Sequence, residues 1–177
     1  AVELAVKTAI LATSASGFIA FDGGYHGLDL GILGLTSRGD FKQPFAKALQ
    51  QEKFRHLPYM CDLEKIETAV RTQKNSAFGF AGIIVEPVQG RAGVRPARAE
   101  WLRDLKKICE NNDGLLIFDE VFTGFGRCGR TFFAEEFDCD LLCVGKALGG
   151  GMPLSACLGT KETMGPWPQS TGEALHT

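Results

Sequence analysis

Three apolar runs in this chain end in the same way. "GIIVE" (82–86), "LLIFDE" (115–120) and "LLCVGK" (141–146) each meet a charged residue at the C-terminal side: Glu86, Asp119 and Lys146. Short apolar runs bounded by turn residues are the pattern of strands buried on both faces. "GFIAF" (17–21) and "LSACLG" (154–159) read as two further strands. Helical spacing fills the intervals between them. Over 1–12 it places Val2, Ala5, Val6, Ala9 and Ile10 on one face, and over 97–112 it does the same for Trp101, Leu102, Leu105 and Ile108. A third helix is predicted over 61–73, with Asp62 as N-cap, and Asn112-Asp113-Gly114 is a stop for the 97–112 helix. Strands alternating with amphipathic helices predict an α/β domain with a mainly parallel sheet flanked by helices. Ligands of such sheets bind outside the carboxyl ends of the strands. The shared position of Glu86, Asp119 and Lys146 therefore predicts a site. The glycine-punctuated segment 23–58 reads as a long, partly ordered loop, and such loops in compact domains are often functional.

Composition removes several alternatives. A net charge of -2 gives no polyelectrolyte signature, so neither nucleic acid nor a membrane surface is expected as a partner. No apolar run approaches the roughly 18 residues of a membrane span. The six cysteines form no C-x-x-C pair and several sit inside apolar runs, so they read as buried free thiols of a reducing, cytoplasmic compartment. No metal site is expected. The chain opens inside a helix with no cap before it and stops at "TGEALHT" without a closing element, which reads as a piece of a longer polypeptide.

Chemistry follows from the residue types at the strand ends. Lys146 could simply snorkel into solvent. The run Gly149-Gly150-Gly151 behind it instead lets backbone approach a ligand, and a partly desolvated lysine is a nucleophile toward carbonyls, forming a Schiff base. Asp119 could cap the turn after its strand, or it could partner a heteroaromatic nitrogen. Pyridoxal 5'-phosphate requires a carboxylate in the second role, because a protonated ring nitrogen makes the ring an electron sink. "GFGRCG" (124–129) fits G-x-G-x-x-G but does not follow its strand directly, since Val121, Phe122 and Thr123 intervene. A dinucleotide site is therefore not expected there.

Taken together, "IIVEPVQG" (83–90), "LLIFDEVFTGFGRCGRTFFAEEF" (115–137), "CVGKALGGGMPLSA" (143–156) and "FDGGYHG" (21–27) resemble the class III aminotransferases, pyridoxal-phosphate enzymes of fold type I. The resemblance implies that Lys146 holds the cofactor and later shuttles a proton at the substrate Cα. It implies that Asp119 faces the pyridine nitrogen, that Val121 packs on one face of the ring, and that Tyr25 stacks on the other with His26 beside it. Glu86 and Gln89 match polar residues near the cofactor. The implied reaction moves an amino group, often an ω-amino group, from an amine or amino acid to a keto acid in a homodimer. A decarboxylase or aminomutase on the same scaffold, or a non-catalytic scaffold domain, are the competing readings.

Two positions depart from the pattern. Ornithine, acetylornithine and 4-aminobutyrate enzymes of this class usually carry glutamate where this chain has Arg91, and glutamine where it has Phe122. Phenylalanine cannot form the hydrogen bond that glutamine makes to the cofactor's ring hydroxyl. The Gly-Ser or Gly-Thr pair that anchors the phosphate is expected just before Ala1. The partner subunit's phosphate-binding threonine is expected in an "HTST" stretch, of which only His176-Thr177 is present. Residues 1–177 thus read as the central part of a pyridoxal-phosphate-binding large domain, without its N-terminal part and the C-terminal small domain.

Overall fold

A computed structural model describes residues 1–167; the expected phosphate-binding stretch around His176 and Thr177 lies outside the described residues. Six strands form one sheet: β1 (Phe18–Phe21), β2 (Phe54–Leu57), β3 (Gly82–Val85), β6 (Leu115–Asp119), β7 (Leu141–Val144) and β8 (Ala156–Gly159), in the order β2-β1-β3-β6-β7-β8. The first five run parallel, and β8 returns antiparallel beside β7. Two short strands, β4 (Val88–Gln89) and β5 (Arg95–Pro96), form a separate hairpin just after β3. The predicted mainly parallel α/β sheet is thus observed.

Alternation along the central strands builds two apolar layers. Ile19, Phe21, Ile83, Val85, Leu116 and Phe118 point to one face, where they pack with residues of α3 (Leu63–Lys74) and α4 (Ala99–Glu110). Phe18, Ala20, Ile84, Ile117, Leu141 and Cys143 point to the other, against Val2, Ala5, Val6 and Ala9 of α1 (Val2–Thr13). Strands β1, β3 and β7 carry no polar side chain because both faces of the sheet are covered, as expected for a parallel sheet. Helix α4 forms because Trp101, Leu102, Leu105 and Ile108 recur at helical spacing and are all buried. It stops where Asp113 turns to a φ of 59° and the Gly114 amide reaches back to the carbonyl of Cys109.

Several expectations need correction. Segment 23–58 is not merely a loop: it holds a 3-10 turn at Leu33–Leu35, the short helix α2 (Gly39–Lys42) and the edge strand β2. Asp62 stands at the N-cap position of α3 without a capping hydrogen bond from its side chain; its carboxylate lies 3.8 Å from Lys65 instead. Strand β7 ends at Val144, so Lys146 lies beyond it in a 3-10 turn, Lys146–Gly149. Strand β8 starts at Ala156, two residues later than predicted. All six cysteines are free, but only Cys109 and Cys143 are fully buried. Two more short helices, α5 (Ala134–Phe137) and α6 (Lys161–Met164), complete the order. No helix among the described residues is long and apolar enough to cross a membrane.

Candidate active site

The parallel strands β1, β3, β6 and β7 all end at one side of the sheet, and their C-terminal loops enclose a cleft of about 420 Å³. Tyr25, His26, Glu86, Asp119, Val121 and Lys146 line it, together with Val2, Gly90, Arg91 and Phe122. Six of the seven predicted site residues are therefore brought together. Gln89 is not among the lining residues. It is buried behind the wall, and its amide Nε2 donates to the carbonyl of Asp22 at 3.0 Å, holding the start of the loop that carries Tyr25.

Asp119 is the last residue of β6 and is almost fully buried. One oxygen, Oδ2, accepts from Nδ1 of His26 at 2.9 Å. A carboxylate only accepts, so the imidazole hydrogen sits on Nδ1. The other oxygen, Oδ1, accepts from the backbone N–H of Val121 at 3.2 Å. Asp119 thus caps its turn and also faces the cleft, so its two sequence readings coexist. A carboxylate has about four lone-pair positions, which leaves capacity for a further donor from the cleft.

Glu86 joins two walls. Its Oε1 accepts from the Tyr25 N–H at 2.8 Å and its Oε2 from the Gly90 N–H at 3.3 Å. Burial pushes its carboxyl above the ordinary value, and nearby His26 opposes that shift. Gly90 is needed for close approach: a Cβ there would stand 2.8 Å from Cδ1 of Phe122. Gly23 takes a φ of +85° at the turn leading from β1 into the Tyr25 loop, a conformation that favours glycine.

Lys146 is exposed, contrary to the expectation of a partly desolvated amine. Its backbone takes a φ of 44°, in the left-handed region that non-glycine residues rarely occupy. Strain of this kind persists where surrounding structure over-determines it, and it concentrates at functional sites. The turn sends the side chain over the cleft, with Nζ 5.5 Å from the centre of the Phe122 ring. Among the described residues Lys146 has no ion pair, and no group of three or more His, Cys, Asp or Glu is placed to hold a metal ion.

One residue of the site's framework escaped the sequence reading. Glu120, next to Asp119, is fully buried and accepts from Thr123 Oγ1 (3.1 Å), Phe133 N–H (2.9 Å) and Ala134 N–H (3.0 Å). It satisfies the N-terminus of α5 and ties down the loop carrying Val121 and Phe122. Burial raises its carboxyl above the ordinary value while these three donors oppose the shift. The local sequence holds no signal for this, since the amides lie 13 and 14 residues ahead.

The mainly parallel α/β sheet thus gathers a lysine, an aspartate and an aromatic residue in one cleft at its carboxyl ends. The family described as Aminotransferase class-III matches residues 1–176, and the chain belongs to that family. It is 40% identical over 163 residues to the acetylornithine aminotransferase of Methanopyrus kandleri, covering 91% of this chain and 40% of that protein. The adenosylmethionine-8-amino-7-oxononanoate aminotransferase of Methanocaldococcus jannaschii superposes with a TM-score of 0.85 at 30% identity, covering 99% of this chain and 43% of that one. The ornithine aminotransferase of Toxoplasma gondii, described with partial occupancy of PLP at its active site, superposes with a TM-score of 0.83 at 26% identity. That match covers 97% of this chain and 42% of the Toxoplasma chain. The chain therefore spans about two-fifths of the length of these relatives.

Proposed function

We propose that these residues form the cofactor-binding core of a pyridoxal-phosphate-dependent aminotransferase, which moves an amino group from an amine or amino acid to a keto acid. The observation that carries the reading is the convergence of Lys146, Asp119, Tyr25 and Val121 on one cleft from the ends of β7, β6 and β1. Their chemistry fits the cofactor. An exposed amine is available for its aldehyde, a buried carboxylate with spare acceptor capacity for its ring nitrogen, and an aromatic and an apolar side chain for its ring. Val2 of α1 lines the cleft, which agrees with the phosphate-anchoring pair that the family resemblance places just before Ala1.

Pyridoxal phosphate, when bound, supplies an aldehyde that condenses with amines and a protonated ring that takes up the electron pair left when Cα loses its proton. Asp119 would hold the proton on the ring nitrogen, its carboxylate oriented by the His26 N–H. Tyr25 and Val121 would hold the ring and exclude water from its surfaces. Lys146 Nζ would anchor the cofactor and carry a proton at the substrate Cα. Glu86 keeps the Tyr25 and Gly90 backbones in place and so positions the aromatic wall.

By this reading the missing parts of the family's large domain and a small domain complete the enzyme, a cytoplasmic homodimer. Exposed Met152 and Leu154, in the glycine-rich turn before β8, suit contact with a second copy, and six free thiols suit a reducing compartment. The intact enzyme should show a visible absorbance band that borohydride removes, leaving the cofactor fixed on the Lys146 peptide. It should also transfer amino groups to a keto acid. A colourless protein with no modified peptide would refute the assignment.

A further inference from the structure

The cleft holds a cation that the reaction above does not use. Arg91 lines it from the turn between β4 and β5, and it is exposed. Three other arginines are paired, Arg38 with Asp40, and Arg103 and Arg130 with Glu136, whereas Arg55, Arg98 and Arg127 are exposed without an ion pair among the described residues but line no part of the cleft. Arg91 has no ion pair among the described residues. The two carboxylates of the same cleft are committed to other donors, Glu86 to the Tyr25 and Gly90 amides and Asp119 to His26 and the Val121 amide. The Arg91 guanidinium instead lies over the Tyr25 ring, 4.2 Å from its centre. Stacking on an aromatic face sets the plane of the guanidinium and leaves its edge N–H groups free, a fork that matches a carboxylate.

Phe122 borders both the reactive amine and the residue before this cation. Its ring packs on Gly90, the residue before Arg91, and Lys146 Nζ lies 5.5 Å from the same ring's centre. A molecule crossing the cleft from Lys146 to Arg91 would meet an amine, an apolar wall and then an anion-binding fork. We propose that Arg91 is a specificity-determining residue that binds the carboxylate of the amino donor, with Phe122 as the apolar wall beneath the intervening carbon chain. This rests on the aminotransferase reading above. The cofactor's phosphate is the other anion that could reach a guanidinium. The family resemblance gives the phosphate its own anchor just before α1, whose Val2 lines the cleft, and this favours the substrate carboxylate for Arg91.

The test uses the intact enzyme loaded with cofactor, as wild type, Arg91→Gln and Arg91→Lys. The donors are ω-amino acids of three to six carbons, each set against the alkylamine of the same chain length. Arg91→Gln should lower kcat/KM for the amino acids about 10- to 100-fold more than for the amines, through KM, with partial rescue in Arg91→Lys. Pentanoate, which has the carboxylate but no amine, should bind the variant more weakly by a similar factor in calorimetry. Equal losses on acids and amines would overturn the proposal, as would wild-type turnover of the amines alone. A loss of affinity for pyridoxal phosphate without a matching loss for pyridoxal would place Arg91 on the phosphate and also overturn it. Failure of the aminotransferase reading has a different signature: no amino transfer from any donor, and no cofactor fixed on Lys146 by borohydride.

Discussion

The central strands and the loops at their carboxyl ends are adjacent in space and specified by different physics. Ile19, Ile83, Ile84, Leu116 and Ile117 are fully buried, and the side chains of β1, β3 and β7 are apolar throughout. Beyond the strand ends buried polar residues gather, His26, Thr36, Glu86, Gln89, Glu120 and Thr123, with Asp119 at the boundary, beside apolar Ile32, Leu33, Leu35 and Val88. Apolar burial is non-directional and tolerates exchanges that conserve volume. The loops depend on directional bonds, and a buried donor or acceptor left without its partner costs about 1–3 kcal/mol. The strands should therefore be sensitive to a change of volume and the loops to a change of one atom's hydrogen-bonding character.

The largest expected effect falls on the loop side and leaves stability intact. Lys146→Ala removes the proposed cofactor anchor and proton carrier, so amino transfer should fall by at least the roughly 10²–10⁴-fold of a lost general base. The apparent Tm of the cofactor-free protein should stay near wild type, because the side chain is exposed and has no ion pair among the described residues. Near-normal turnover would remove Lys146 from the chemistry, whereas a large drop in Tm would break the contrast between the regions.

Asp119→Asn changes one atom at nearly constant volume. An amide can still accept from His26 or from Val121, but it carries no charge to hold a proton on a ring nitrogen. Amino transfer in single-turnover experiments should slow by about 10²–10³-fold, the scale of removing one pre-organised electrostatic group. Rates equal to wild type would leave Asp119 with only its turn-capping role.

The strand side is probed by Ile84→Ala in the middle of β3, where the side chain is fully buried against α1. The expected loss is about 2–5 kcal/mol, read as a lower unfolding midpoint in denaturant. Turnover per folded molecule should hold, since Ile84 lines no part of the cleft. Ile84→Val should cost only about 0.5–1.5 kcal/mol. A change in substrate KM with Ile84→Ala would show that core volume and site geometry are coupled.

The same division explains what the sequence makes legible. β3, β6 and β7 appear as unbroken apolar runs because burial on both faces is written into every residue. Strand β2, "FRHL", has no such run: it is a half-buried edge strand, and it exists because β1 pairs with it from Phe18–Phe54 to Phe21–Leu57. Position alone singled out Glu86, Asp119 and Lys146, since a charge ending an apolar run is visible in one dimension. Tyr25, His26 and Val121 emerged only through the family resemblance. The His26–Asp119 bond joins residues 93 apart, and Glu120 was overlooked beside Asp119 because its partners lie across a long loop. The left-handed backbone of Lys146 has no local signature, as lysine is not a residue that favours it.

The subtlest change in chemistry carries the contrast down to one hydrogen. In Glu86→Gln the shape is kept, but the new NH₂ must face either the Tyr25 or the Gly90 N–H, donor against donor. A protonated carboxyl escapes this, because both of its oxygens can accept while its hydrogen points elsewhere. Burial raises the Glu86 carboxyl in the folded state above its ordinary value of 4.5, so the folded protein holds that proton more tightly than the unfolded chain. Glu86's contribution to stability is therefore fully present below the unfolded value and declines as pH rises through the folded one. Glutamine does not titrate. The wild type should exceed Glu86→Gln by about 1–3 kcal/mol at the acid end of that window, with the gap narrowing as pH rises. Unfolding midpoints of both proteins measured from pH 4.5 upward would show this. A gap that stays constant, or widens with pH, would mean that burial does not govern the charge of Glu86.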